Sequence, residues 1–291
     1  MFRLLQEHRK FQYKGEGMLR VAGVQCDVAI GNKAANLKTM RQWCETAARE
    51  GARWVVFPEC ALTGYCFESR DEASQYAEVA DAESCQEIQR WCEEFGIYIV
   101  YGYLERDQQH LYNAANLVGP LGRIGGYRKT HLPYLGVDRF TDPGKVGYEV
   151  FQAGELRIGM LICYDCSFPE PNRCLALAGA DIIILPTNWP PGSGCTADFV
   201  PNTRALENNV YYMAINRVGT ERGFDFIGQS KICDPSGNTL TAASQPPIAE
   251  MLVAEVDPER ARQKHLVRVP KQHEIDRFRD RRPDLYGPLS E

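Results

Sequence analysis

Ile158-Gly159-Met160-Leu161-Ile162-Cys163-Tyr164-Asp165-Cys166-Ser167-Phe168-Pro169-Glu170 is the stretch from which the fold is read. The run from Ile158 to Ile162 is apolar on what would be both faces of a strand, and Arg157 to Cys163 reads as that strand. At Cys163 the hydrophobicity stops and turn-prone polar residues take over; Pro171 to Ala178 then reads as a helix. A strand apolar on both faces belongs in a sheet covered on both sides, with helices as the cover. The same pattern leaves a cysteine at the carboxyl end of a strand, where open α/β sheets gather ligands and reactive groups.

Toward the N-terminus, Leu19 to Gln25 alternates apolar and polar residues and reads as a first strand. Asn32 to Glu50 turns helical, with Leu37, Met40, Cys44 and Ala47 on one face. Trp54 to Phe57 is a short apolar strand. Ser84 with Glu87 makes a capping box ahead of a helical stripe at Ile88, Trp91, Cys92 and Phe95, and Ile97 to Tyr103 is a strand. Ala114 to Val118 and Arg123 to Arg128 are joined through the turn residues Gly119-Pro120-Leu121-Gly122.

Toward the C-terminus, Asp181 to Leu185, Val210 to Val218, Phe226 to Cys233 and Met251 to Val256 read as strands, and Phe199 to Asn209 as a helix. Ten to twelve strands, as a rough count, are too many for one doubly wound sheet. Two packed sheets with helices outside each fit better. No linker divides the chain, so residues 18–258 are expected to be one α/β domain. Residues 1–17 are expected to form a polar extension, and 259–291 a C-terminal arm.

The 291 residues are 44% hydrophobic and 24% charged, ordinary for a globular protein. No run reaches the ~18 apolar residues of a membrane span, and the charged N-terminus lacks the apolar core of a secretory signal. A net charge of −5 offers no general attraction to nucleic acid or anionic membrane. Arg277, Arg279, Arg281 and Arg282 are interleaved with Asp276, Asp280 and Asp284, which reads as a salt-bridged arm on a neighbouring surface. Eleven irregularly spaced cysteines do not make a disulfide framework, so a cytoplasmic location is expected. Most should be small buried hydrophobes.

Three residues stand apart because each follows a strand. Cys163 has Asp165 two positions on and Phe168-Pro169-Glu170 close behind. Glu59 follows Phe57-Pro58 and is surrounded by Trp54, Val55, Val56, Cys60, Ala61 and Leu62, where a charge is costly unless paired. Partial burial there would raise its pKa and suit it to take a proton from a thiol. Lys129 ends Gly125-Gly126-Tyr127-Arg128-Lys129; alone it reads as a surface lysine. Beside a thiol and a glutamate it becomes an ammonium able to stabilise an oxyanion.

Phe57-Pro58-Glu59, Tyr127-Arg128-Lys129-Thr130-His131-Leu132 and Ile162-Cys163-Tyr164-Asp165, with Phe168-Pro169-Glu170, resemble the Glu, Lys and Cys blocks of the nitrilase superfamily of carbon–nitrogen hydrolases. The resemblance runs from Met18 to Asp257 with the blocks in order. It implies a four-layer αββα subunit, commonly paired into a dimer, with the C-terminal arm at an oligomer interface. It also implies Glu59 as general base, Lys129 as stabiliser of the intermediate and Cys163 as nucleophile, with no metal or organic cofactor. The backbone N–H of Tyr164 is expected as a second oxyanion donor. Many members carry a further glutamate after the lysine block; here Asp138 is the closest acid.

Tyr164-Asp165 in place of Trp-Glu favours the amidase and carbamoylase branches over true nitrilases. Leu185-Pro186-Thr187-Asn188-Trp189-Pro190 is similar to an acyl-pocket loop of aliphatic amidases. Asn188, Trp189, Tyr65 and Arg139 are therefore candidate substrate contacts. Asn216-Arg217-Val218-Gly219 and Phe226-Ile227-Gly228-Gln229-Ser230 also resemble amidase blocks. An N-carbamoyl amino acid would need an arginine for its carboxylate, and Arg139, Arg173 and Arg204 are candidates. A small linear amide is the favoured substrate.

Other classes stay in view. Cys163-Tyr164-Asp165-Cys166 is also a Cys-x-x-Cys, the pattern of redox and metal proteins, though no second pair stands at zinc spacing. A cysteine–histidine pair would draw on His131, which reads instead as support for its loop. A catalytically inactive interaction protein is the remaining alternative.

Overall fold

The computed structural model describes residues 17–290. The predicted 1–17 extension therefore lies, apart from Gly17, outside the described residues. The first half runs β1 (Leu19–Gln25), α1 (Lys33–Arg49), β2 (Trp54–Val56), α2 (Arg70–Ser74), α3 (Glu83–Phe95), β3 (Tyr98–Asp107), β4 (His110–Gly119) and β5 (Gly122–Arg128). The second half runs β6 (Val150–Ala153), β7 (Leu156–Met160), α4 (Pro169–Leu177), β8 (Ile182–Pro186), α5 (Gly194–Asn208), β9 (Tyr211–Ile215), β10 (Thr220–Glu221), β11 (Phe224–Asp225), β12 (Lys231–Cys233), β13 (Thr239–Ala242) and β14 (Glu250–Val256). The chain closes with α6 (Pro258–Arg262) and the hairpin β15 (His265–Val269) and β16 (His273–Asp276).

Twelve of these strands form two six-stranded sheets, ordered β14-β1-β2-β3-β4-β5 and β13-β12-β9-β8-β7-β6. Each sheet has the same plan: an antiparallel edge, three parallel strands, then two antiparallel strands. The second half thus repeats the first without repeating its sequence. The inner faces meet through Val21, Trp54, Val56, Val100 and Leu117 on one side and Ile158, Met160, Met213 and Ile215 on the other. Outside the first sheet, Ala22, Val55, Ile99 and Tyr101 pack on Met40 and Cys44 of α1 and Ile88 and Trp91 of α3. Outside the second, Leu175 and Ala176 of α4 and Ala197 and Ala205 of α5 join the core. The four-layer αββα expectation is met.

Where the structure departs from the sequence reading, the cause is local. β1 is buried on both faces from Val21 onward, because it lies between the second sheet and α1. Ser84 is no cap: α3 starts at Glu83 behind Ala82, and the Ser84 hydroxyl donates to Glu78 at 3.0 Å. β7 stops at Met160, and Cys163–Ser167 is a 3₁₀ turn. Phe226 to Ser230 is loop, and only Lys231–Cys233 pairs as strand. In the arm, one of the interleaved acids and arginines forms an ion pair, Arg282 with Asp284 at 2.7 Å. Asp276 instead accepts main-chain N–H groups, and Phe278 packs under Arg173 and Lys264. Among the described residues no helix is long and apolar enough to cross a membrane.

Candidate active site

Glu59 leaves the end of β2 in a bend clasped by β3. Gly102 donates to the Pro58 carbonyl at 3.1 Å and accepts from Leu62 at 3.1 Å, and Cys60 turns the chain with φ 50°. A Cβ on Gly102 would lie 2.3 Å from the Cys60 nitrogen and 2.7 Å from Glu59 Cα, so the bend depends on that residue having no side chain. The sequence reading expected partial burial of Glu59. Its burial is complete.

Lys129 follows β5 directly and is likewise fully buried, unlike the surface lysine its sequence neighbours suggest. Its Nζ donates to Glu59 Oε1 at 2.8 Å and to Asp138 Oδ2 at 2.6 Å. Asp138 reaches the site on a 3₁₀ turn, Gly136–Arg139. It also accepts from the Tyr65 hydroxyl at 2.8 Å. Asn113 of β4, which sequence reasoning missed, donates to both Glu59 Oε1 (2.6 Å) and Asp138 Oδ1 (2.8 Å). Its signal was faint: one of two asparagines in the mostly apolar run Asn113-Ala114-Ala115-Asn116-Leu117-Val118. A buried ion cluster of this kind is tolerated only with its lone pairs satisfied. One oxygen is left out: Glu59 Oε2 is buried and has no partner among the described residues.

Cys163 sits in the left-handed region, φ 46°, at the first position of its turn. For a residue with a side chain this is a strained conformation, of the kind that clusters at functional sites. Asp165 holds the turn in place. Its Oδ2 accepts from the Ile162 N–H and the Tyr127 hydroxyl, both at 2.9 Å. Its Oδ1 accepts from the His131 N–H and the Thr130 hydroxyl, both at 3.1 Å, and lies 2.7 Å from His131 Nδ1. The acid two positions beyond the cysteine is therefore the tie between the cysteine block and the lysine block. His131 stacks on Phe168 with ring centroids 3.9 Å apart, in keeping with loop support. Arg204 of α5 pairs with Glu207 as expected, and also donates to the Cys166 carbonyl at 3.0 Å.

The electrostatics follow from burial. Desolvation pushes the Cys163 thiol well above its ordinary value and the Glu59 carboxylate adds to this; Lys129, the Thr187 hydroxyl and the Asn188 N–H oppose it. Desolvation also raises Glu59, with Asp138 in the same sense and Lys129 and Asn113 against it. For Lys129 burial works downward, but Asp138 and Glu59 outweigh it and hold the ammonium above the usual lysine range. A thiol so held stays protonated until a base acts on it.

Among the other candidates, Tyr65, Asn188 and Trp189 are buried, and both carboxamide atoms of Asn188 lack partners among the described residues. Trp189 is pinned by Asn216, which accepts its N–H at 2.9 Å. Tyr164 is partly exposed, edge-on to Phe168. Arg139 lies outside the cluster, donating to the Gly136 and Phe67 carbonyls and lining a surface pocket with Tyr134 and Arg222. Arg173 donates to the Glu207 carbonyl. Among the described residues no His, Cys, Asp and Glu side chains converge as a metal cluster.

Comparison with known families matches residues 20–265 to the carbon–nitrogen hydrolases. The chain belongs to that family. A Pyrococcus abyssi protein named nitrilase is 39% identical, covering 92% of this chain and 99% of its own. An (R)-stereoselective amidase of a Pseudomonas species is 30% identical over 94% and 95% of the two chains. The crystal structure of an amidase from Nesterenkonia sp. superposes with a TM-score of 0.78 at 21% identity, covering 94% of this chain and 97% of its own. A variant of that amidase carries the acetamide moiety of fluoroacetamide added covalently at its active-site cysteine. This chain is thus a carbon–nitrogen hydrolase with the nitrilase-superfamily sandwich.

Proposed function

We propose that the chain hydrolyses a small linear amide through a thioester on Cys163, with Glu59 as base and Lys129 as stabiliser. The observation that carries this reading is the unpartnered Glu59 Oε2, a buried carboxylate oxygen beside a protonated buried thiol. Glu59 takes the Sγ proton and the thiolate attacks the amide carbonyl. An ammonium has three donors, and Lys129 spends two on Glu59 and Asp138. The third is free for the oxyanion, together with the Tyr164 N–H. Glu59 then returns the proton to the leaving nitrogen, ammonia departs, and a water deprotonated by Glu59 cleaves the thioester to the acid.

Asn188 is assigned to the substrate, since its unpaired carboxamide has a donor and an acceptor to offer. Tyr65 and Trp189 are assigned as walls. Arg139 and Arg173 have protein partners away from the cluster and Arg204 is held by Glu207 and the Cys166 carbonyl, which favours a neutral acyl group over an N-carbamoyl amino acid. A redox role for Cys163 and Cys166 is disfavoured, because a Cys-x-x-Cys nucleophile has a lowered pKa and this one is raised.

Ammonia release from aliphatic amides, dicarboxylic monoamides, N-carbamoyl compounds and nitriles tests the proposal. Turnover of amides that vanishes in Cys163→Ala and persists in Cys166→Ala is expected. Replacing Lys129 by Met should cost on the order of 10²–10³ in rate. Activity confined to nitriles would overturn the amide assignment. We further propose a cytoplasmic homodimer: all eleven cysteines are free. Leu177, Phe199, Leu206 and Leu289 leave α4, α5 and the arm with exposed apolar side chains. Sedentary monomers at micromolar concentration in ultracentrifugation would exclude the dimer.

A further inference from the structure

Two segments that resemble amidase blocks, Asn216–Gly219 and the loop after β11, have so far received no role beyond the hold of Asn216 on Trp189. Arg217 of the first segment forms a buried ion pair with Glu221, which lies between the two. Arg217 is fully buried, and its guanidinium donates to Glu221 Oε2 at 2.5 Å, to Asp27 at 2.9 Å and to the Val28 carbonyl at 2.8 Å. Glu221 is buried too, on the two-residue strand β10. Its other oxygen accepts the main-chain N–H groups of Tyr65 at 2.7 Å and Cys66 at 2.5 Å.

We infer that Glu221 is a positioning residue for Lys129, acting through Tyr65. The inference rests on the catalytic reading of Lys129 given above. Glu221 anchors the Tyr65 main chain, the Tyr65 hydroxyl donates to Asp138, and Asp138 holds the lysine Nζ. The ring is fixed from a second side: Phe226 meets Tyr65 edge-on at 6.5 Å, and Arg217 lies 4.3 Å over Phe226. One ion pair therefore sets both the backbone and the ring face of Tyr65. Burying two charges is expensive unless the geometry they impose is needed. A neutral anchor would satisfy two N–H groups, but it would not bind the Arg217 side that carries Phe226. Arg222, next in sequence, continues the clasp by donating to Glu72 and to the Cys66 carbonyl.

The test compares Glu221→Gln, Arg217→Met/Glu221→Gln and Tyr65→Phe in the full chain, with active sites counted as the iodoacetamide uptake in excess of that of the matching Cys163→Ala protein, because Cys66, Cys174 and Cys195 also react. The double variant removes both charges and spares the fold an unpaired buried arginine. Per titrated site, kcat is expected to fall roughly 10–100-fold, the range that a small misplacement costs. KM should move less than about threefold, the signature of an interaction made in the transition state. Adding Tyr65→Phe to either Glu221 variant should cost little more, because the two act in one chain. Unchanged kcat in the double variant, or losses that simply multiply with Tyr65→Phe, would overturn the inference. Turnover surviving in Cys163→Ala would instead overturn the catalytic reading beneath it.

Discussion

Glu59 and Lys129 are of interest because neither is where an isolated charge belongs. Both are fully buried, and Asp138 brings a second negative charge to the same lysine. Burial raises Glu59, and Asp138 raises it further. A base works only when deprotonated, so kcat/KM should fall with decreasing pH through a point above the ordinary glutamate value. Asp138→Asn removes a like charge, so Glu59 should deprotonate at lower pH and the acid limb should move acidward. A pH–rate profile of the variant measures this; a limb that stays in place or moves upward would contradict the assignment of Glu59. At this scale the sequence was legible for residue types and order. It was not legible for Asn113 or Glu221, since no spacing rule relates either to its partners.

The elements deliver these residues by how they end. Glu59 depends on β3 presenting a glycine where the bend crosses it, and Gly102→Ala should force backbone against backbone. Overpacking of this kind costs about 1–3 kcal/mol, and the displaced carboxylate should remove most turnover. Chemical denaturation together with ammonia-release assays would separate the two effects. A stable, fully active Gly102→Ala protein would show that the bend has slack. The cysteine turn makes the same point about legibility. Ile162 has a strand former's side chain, yet Asp165 captures its N–H and Cys163 starts a 3₁₀ turn. The hydrophobic pattern continues two residues beyond the pairing, so the apolar run alone places the strand end too late.

At the scale of the molecule, two sheets of the same plan must approach closely enough for their strand ends to share one site. Gly23 of β1 faces Ile215 of β9 so tightly that a Cβ would lie 2.1 Å from Ile215 Cδ1. Gly23→Ala should therefore destabilise the chain by about 1–3 kcal/mol. Ile215→Val in the same chain, which deletes that methyl, should restore part of the loss. Denaturant midpoints of the two single variants and the double variant decide the matter. Strictly additive losses would mean that the sheets do not meet there.

The amino-acid sequence by itself determined the αββα sandwich and the family, because strands apolar on both faces require covered sheets, their number requires two such sheets, and the Glu, Lys and Cys blocks stand in a fixed order. Local chemistry suffices for that: burial preference and turn residues are properties of short segments. Only the tertiary structure decided which groups meet. Asp138, Asn113 and Tyr65 come from different elements to surround Lys129, and Asp165 serves the lysine loop as much as the cysteine turn. Hydrogen bonds depend on direction within tens of degrees and distance within tenths of an ångström, and those are set by packing between segments far apart in the chain.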